Sequence, residues 1–220
     1  MFRIKICGIT NLDDAQAAVD AGADAVGFNF CTRSPRFIEP LAARDIAARL
    51  PAGIAKVGVF VNGTTGAIVA AAEQVGLDII QLHGDEPPED VLALAPRSVM
   101  RAIRATTKSL AEVSRYLERC RKAGVELLAV MADAAVPGQY GGTGERADWD
   151  AWSRYASKPR VPPLVLAGGL TPENVAEAIA QVRPAAVDVA SGVESEPGLK
   201  DAERVRAFVD AAREAFSRLD

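Results

Sequence analysis

Short runs rich in aliphatic and β-branched residues alternate along the chain with longer, alanine-rich stretches whose apolar positions recur at helical spacing. The runs read RIKICGI, AVGFNF, KVGVFV, IIQLHG, SVMRAIRA, ELLAVMAD, PLVLAGG and AAVDVASG. Between them the pattern predicts helices over residues 11–21, 41–50, 64–75, 88–95, 108–122, 148–156, 172–182 and 201–216. Asn11, Thr64, Ser109 and Thr171 stand at or near helix starts, where a side-chain oxygen can accept from free amides. Pro172 fits a first helical position, where its missing N–H costs nothing. Strand then helix, eight times over, implies parallel strands joined by right-handed crossovers. Eight α/β units of roughly 25 residues close a (β/α)8 TIM barrel, and no linker divides the chain, so residues 1–220 are expected to form one domain.

That architecture directs attention to the carboxyl ends of the strands, where barrels of this kind carry their chemistry. Gly168 and Gly169 follow strand seven, and Ser191 and Gly192 follow strand eight. The loops after these two strands are the usual phosphate seat, where glycines let backbone amides approach an anion closely. Used alone, either pair reads equally well as a tight turn. The cluster PGQYGGTGERADW after strand six matches the loose pattern GxGxxA at residues 142–147, but in the wrong context for a dinucleotide fold. It reads better as a loop closing over a substrate.

Alternation along the first strand sets Lys5 and Cys7 on one face and Ile4 and Ile6 on the other. The apolar face should meet the helices, so Lys5 and Cys7 point into the barrel. Asp188, between Val187 and Val189 in the last strand, points inward too, and a Lys5–Asp188 ion pair is expected beneath the site. Cys7 then sits at the mouth, where the Lys5 ammonium and the amides of Gly8 and Ile9 should ease its ionisation. The plain alternative is a small buried hydrophobe. Asp133 ends strand six and faces Cys7 across the ring, an acid opposite a base, unless it only caps the next turn. His83, the sole histidine, ends strand four and either orients a ligand or caps its loop. Arg36 stands near the mouth, where a guanidinium can grip a carboxylate, whereas Arg33 reads as a solvated surface residue.

Composition narrows the field. The net charge of −4 and the absence of a basic block argue against nucleic acid as a partner. Three scattered cysteines with no CxxC fit neither a disulfide framework nor a zinc cluster, and one histidine makes no metal site. No secretory leader and no membrane-spanning run are visible, so the expectation is a cytoplasmic protein with no membrane partner.

The segments KICGIT, SPRFI, VGVFVN, QLHGDE, GGTG, LAGGLTPENV and DVASGVE, in this order, resemble the phosphoribosylanthranilate isomerase family from Lys5 through Asp201. The resemblance implies a cofactor-free Amadori rearrangement in tryptophan biosynthesis, an aldose-to-ketose isomerisation. It would convert N-(5-phosphoribosyl)anthranilate to 1-(2-carboxyphenylamino)-1-deoxyribulose 5-phosphate. It further implies Cys7 as general base, Asp133 as general acid and Arg36 as the grip on the anthranilate carboxylate. Gly168, Gly169, Ser191 and Gly192 would bind phosphate, and the chain would act as a monomer or homodimer. The chain departs from the family pattern at Met131 and Ala132, where many members carry two leucines before the acid, and at Cys31, Arg33 and Ala147. Two alternatives stay open: a histidine-pathway type of sugar-phosphate isomerase, and a barrel that binds a phosphorylated metabolite without turning it over.

Overall fold

The computed structural model describes residues 1–104, 110–133 and 147–219; Ser109 and the glycine cluster over 134–146 lie outside them. Eight parallel strands pair in chain order: β1 Ile4–Cys7, β2 Ala25–Asn29, β3 Ala55–Phe60, β4 Ile79–Leu82, β5 Ser98–Arg104, β6 Ala129–Asp133, β7 Leu164–Leu166 and β8 Ala186–Val189. β8 pairs back onto β1, with Lys5 opposite Asp188, and the sheet closes into the expected barrel.

The helices that cover it are α1 Leu12–Ala21, α2 Pro40–Ala47, α3 Thr65–Val75, α4 Pro88–Ala93, α5 Leu110–Lys122, α6 Trp149–Ala156, α7 Val175–Val182 and α8 Ala202–Ser217. Asn11 caps α1 by accepting from the Asp14 amide at 2.8 Å, and Thr64 caps α3 by accepting from the Ala67 amide at 3.3 Å. The start of α7 differs from the expectation. Thr171 accepts from the Glu173 amide, but Pro172 lies in a turn and the helix opens only at Val175. The cause is Asn174, whose side chain accepts from the Thr171 amide and donates to the Gly169 carbonyl, folding 169–174 into a closed loop ahead of the helix.

Side chains fill the barrel in layers, as the fold requires. The lower layer is apolar and includes Phe2, Ala25, Val57, Ile79, Met100, Ala129, Val165 and Ala186. Above it the inward positions turn polar: Lys5, Gln81 and Asp188, then Cys7, His83 and Asp133 near the mouth. Outward positions such as Ile4, Ile6, Phe28, Val187 and Val189 pack under the helices. Each strand therefore separates an oily outer seam from a barrel interior that becomes steadily more polar toward one end.

The chain adds one feature after β8 that its period does not announce. A single 3-10 turn at Ser191–Val193 leads into a small antiparallel pair, β9 Glu194–Glu196 and β10 Leu199–Lys200. Asp14 of α1 accepts from the Lys200 amide at 2.9 Å, and Thr10 donates to the Gly198 carbonyl at 2.7 Å. These two bonds hold the hairpin beside the mouth.

Candidate active site

The upper end of the barrel holds a cleft of about 710 Å³, open mouth included. Its walls carry Cys7, Arg36, His83, Asp133, Gly168, Gly169 and Ser191, so seven of the eight residues singled out in the sequence meet in one place. Gly192 stands just behind, where an added Cβ would fall 1.9 Å from the Leu170 carbonyl oxygen. That contact is backbone on backbone and cannot yield to a side-chain rotation. Gly192 therefore serves the close packing of the loops after β7 and β8. Gly168 and Gly169 take φ of +78° and +65°, the left-handed region that glycine enters without strain.

On the β1 side the predicted ion pair is present, with Lys5 Nζ 2.8 Å from Asp188 Oδ1. Burial alone would push the Lys5 ammonium down, but Asp188 and Cys7 together hold it above its ordinary value. Gly27 of β2 makes room for this cluster, since a Cβ there would meet Cys7 Sγ at 2.7 Å and Lys5 Cε at 3.0 Å.

The Cys7 thiol behaves differently from the expectation. Lys5 does favour the thiolate, but burial opposes it more strongly and Asp188 adds to the opposition, so the thiol is pushed up. Proximity to a cation was the correct observation; the neglected quantity was desolvation, which penalises a charge placed where water cannot reach. Gly8 makes room as well, for a side chain of the protein itself. It adopts φ +78°, and a Cβ there would lie 2.6 Å from Arg36 Cδ, so the space belongs to the stem of Arg36.

Arg36 is buried against Glu194, to which its Nε and Nη2 each donate at 2.7 Å. Lys200 donates to the same carboxylate at 2.8 Å and to the Ala190 carbonyl at 3.2 Å. Burial works against the Glu194 carboxylate, yet Arg36 and Lys200 together hold it below the usual carboxylate range. Burial pushes the Lys200 ammonium down, and Glu194 only partly restores it. Neither Glu194 nor Lys200 was singled out from the sequence. They ride on the hairpin, whose strands are too short to carry a period. The one usable signal was Glu194 itself, the last residue of SGVE.

Across the mouth, His83 Nε2 lies 2.8 Å from Asp133 Oδ2. His83 therefore contacts the acid candidate rather than capping its own loop, where Glu86 accepts from the Gly84 amide instead. Gln81, two positions before His83 and so on the same face of β4, bonds to His83 Nδ1 at 2.9 Å. Period-two alternation was sufficient to find Gln81. Arg33 is exposed as expected, Cys31 is half-buried, and Cys120 is buried within α5. Among the described residues no group of three or more His, Cys, Asp or Glu side chains is arranged to hold a metal.

A cleft with a buried thiol on one wall, a carboxylate on the other, a guanidinium above and two glycine turns at the side suits proton transfer on a small phosphorylated acid. Comparison with known proteins is consistent with this arrangement. The family model for N-(5'phosphoribosyl)anthranilate (PRA) isomerase matches residues 4–211. A protein of Pelobacter propionicus called N-(5'-phosphoribosyl)anthranilate isomerase is 45% identical over 218 residues, which span 99% of this chain and 98% of that one. The crystal structure of phosphoribosyl anthranilate isomerase from Thermotoga maritima shares 42% identity at a TM-score of 0.86, covering 97% of this chain and 100% of that one. A further crystal structure holds the same type of enzyme in complex with reduced 1-(o-carboxyphenylamino)-1-deoxyribulose 5-phosphate, at 40% identity and a TM-score of 0.83, with coverage of 97% and 100%. Match, coverage and fold agree over essentially the whole length, and the chain belongs to the N-(5'-phosphoribosyl)anthranilate isomerase family.

Proposed function

We infer that this chain, an isomerase of tryptophan biosynthesis, rearranges N-(5-phosphoribosyl)anthranilate to 1-(2-carboxyphenylamino)-1-deoxyribulose 5-phosphate with Cys7 as base and Asp133 as acid. The observation that carries the assignment of roles is the sharing of one cleft by a thiol and a carboxylate that rise from β1 and β6, on different sides of the ring.

Asp133 gives its proton to the ribose ring oxygen, the C1–O bond breaks, and the nitrogen lone pair forms an iminium with C1. Cys7, as thiolate, takes the proton from C2, leaving an enolamine. Protonation at C1 and loss of the C2 hydroxyl proton then yield the ketone. The iminium cation forms next to a thiol that burial pushes up. Its positive charge offsets the desolvation penalty at the moment the base is needed. Acid–base assistance of this kind contributes roughly 10²–10⁴-fold for each well-placed group.

Arg36 receives the anthranilate carboxylate. Its Nε and Nη2 are already anchored by Glu194, which leaves Nη1 to meet the substrate. The phosphate lies against Gly168, Gly169 and Ser191, with Gly192 holding the two loops together. We assign no cofactor and no metal to the reaction. We read residues 1–220 as one domain working in the cytoplasm as a monomer or homodimer, without nucleic acid or membrane. Among the described residues no helix is long and apolar enough to cross a membrane.

The test is turnover of phosphoribosylanthranilate by the wild-type protein, followed by anthranilate fluorescence, with the histidine-pathway aminoaldose as the competing substrate. Loss of fluorescence supports the assignment. Turnover of the competing substrate alone, or binding without turnover of either, overturns it.

A further inference from the structure

The acid wall of the cleft contains a line of hydrogen bonds whose direction is forced by its first member. Lys5 Nζ lies 3.0 Å from Gln81 Oε1, and an ammonium can only donate. The amide oxygen of Gln81 must therefore face Lys5, and its nitrogen must face the other way. Gln81 Nε2 then has two hydrogens to place. One points at Met131 Sδ, 3.2 Å away, and the other at His83 Nδ1, 2.9 Å away. Turning the amide over would set nitrogen against the Lys5 ammonium, donor against donor, in a spot where Gln81 is 1% exposed and Lys5 is 0%. At that depth the clash would be a buried one.

A histidine whose Nδ1 accepts a hydrogen bond is neutral and carries its proton on Nε2. That Nε2–H points at Asp133 Oδ2, 2.8 Å distant. Oδ2 is thereby occupied as an acceptor, and when Asp133 is protonated the proton belongs on Oδ1. We propose that Gln81 is a positioning residue that fixes His83 as the Nε2–H tautomer and so directs the transferable proton of Asp133 to Oδ1. Met131 completes the device. Many members of the family carry leucine at this position, which would leave the second Gln81 amide hydrogen without the acceptor that Met131 provides. In this chain the thioether receives it and holds the amide plane in place.

Gln81 acts through His83 and does not itself exchange a proton with substrate. The inference rests on the assignment of Asp133 as the acid, but its first test does not. The chain has a single histidine, so the imidazole of the 15N-labelled protein gives one unambiguous pair of ring-nitrogen signals in a long-range 1H–15N correlation spectrum. The substrate-free wild type is expected to show a protonated Nε2 and a bare Nδ1 at neutral pH. A spectrum with Nδ1–H or with imidazolium dominant overturns the inference, whatever the variants do.

Gln81→Glu offers His83 an acceptor in place of a donor, so the ring is expected to gain a proton on Nδ1. Its kcat is expected to fall about tenfold or more, with affinity for the reduced product analogue held within about twofold, as loss of one well-aligned proton donor should do. Met131→Leu is expected to give a smaller fall in kcat together with a minor Nδ1–H population. A Gln81→Glu protein that keeps both the wild-type tautomer and the wild-type kcat overturns the proposal. An inert wild type with the Nε2–H spectrum would instead sink the assigned activity and leave the tautomer standing.

Discussion

The two walls of the cleft solve the same problem with different materials. On the β1–β8 side, Cys7 is surrounded by formal charges: Lys5 with Asp188 below it, Arg36 with Glu194 and Lys200 above it. On the β4–β6 side, Asp133 is held through hydrogen bonds from uncharged groups, His83 and behind it Gln81. A field built from several charges acts through distance, and at Cys7 burial outweighs the help that Lys5 gives the thiolate. A chain of directed hydrogen bonds acts through geometry, and at Asp133 it selects one oxygen. The charges around Cys7 should therefore reveal themselves in stability and in pH dependence, and the acid wall in rate.

The largest expected effects separate the walls most sharply. Asp133→Asn should lower kcat about 10²–10⁴-fold with little change in the denaturation midpoint, because the amide oxygen still accepts from His83. Asp188→Ala should do the opposite first. It leaves the fully buried Lys5 ammonium without its partner, which costs roughly 3–5 kcal/mol of stability in chemical denaturation. If the two substitutions gave the same profile, the distinction between the walls would be lost.

A middle-sized effect is expected at the hairpin. Glu194→Ala frees both anchored nitrogens of Arg36 and strands Lys200, so KM should rise about tenfold, the worth of one charge-assisted hydrogen bond, with kcat less affected. A fall in KM would mean that Glu194 competes with the substrate carboxylate instead of aiming its receptor.

The smallest expected effect is a shift along the pH axis. The base must be ionised to act and its thiol is pushed up, so kcat/KM should climb with pH and level off only above the ordinary thiol value of about 8.5. Lys5 favours the thiolate, so Lys5→Met should move that limb to higher pH. Asp188 disfavours it, so Asp188→Asn should move it lower. Limbs that stay in place in both variants would show that these charges do not govern the thiol.

The barrel was legible because eight repeats of one pattern reinforce each other, and inward alternation was enough to pair Lys5 with Asp188 across the closing seam. The late start of α7 was not, because Asn174 competes for the backbone through its side chain, and propensity at Thr171 and Pro172 carries no trace of that. Cys7 was found by position, yet its ionisation was misjudged, since a neighbouring lysine can be read from spacing whereas the depth of burial cannot. Glu194 and Lys200 escaped for a related reason. Their role depends on Arg36, over 150 residues earlier in the chain, and only the folded hairpin brings them to it.

One measurement bears most directly on the central claim that Cys7 removes the C2 proton. Turnover of phosphoribosylanthranilate by Cys7→Ala should be compared with wild type, alongside binding of the reduced product analogue to both. The account predicts turnover reduced about 10²–10⁴-fold with affinity retained, because the thiol is asked only for proton transfer. A Cys7→Ala protein that turns over as fast as wild type would return Cys7 to the core as a small buried side chain and leave the reaction in need of another base.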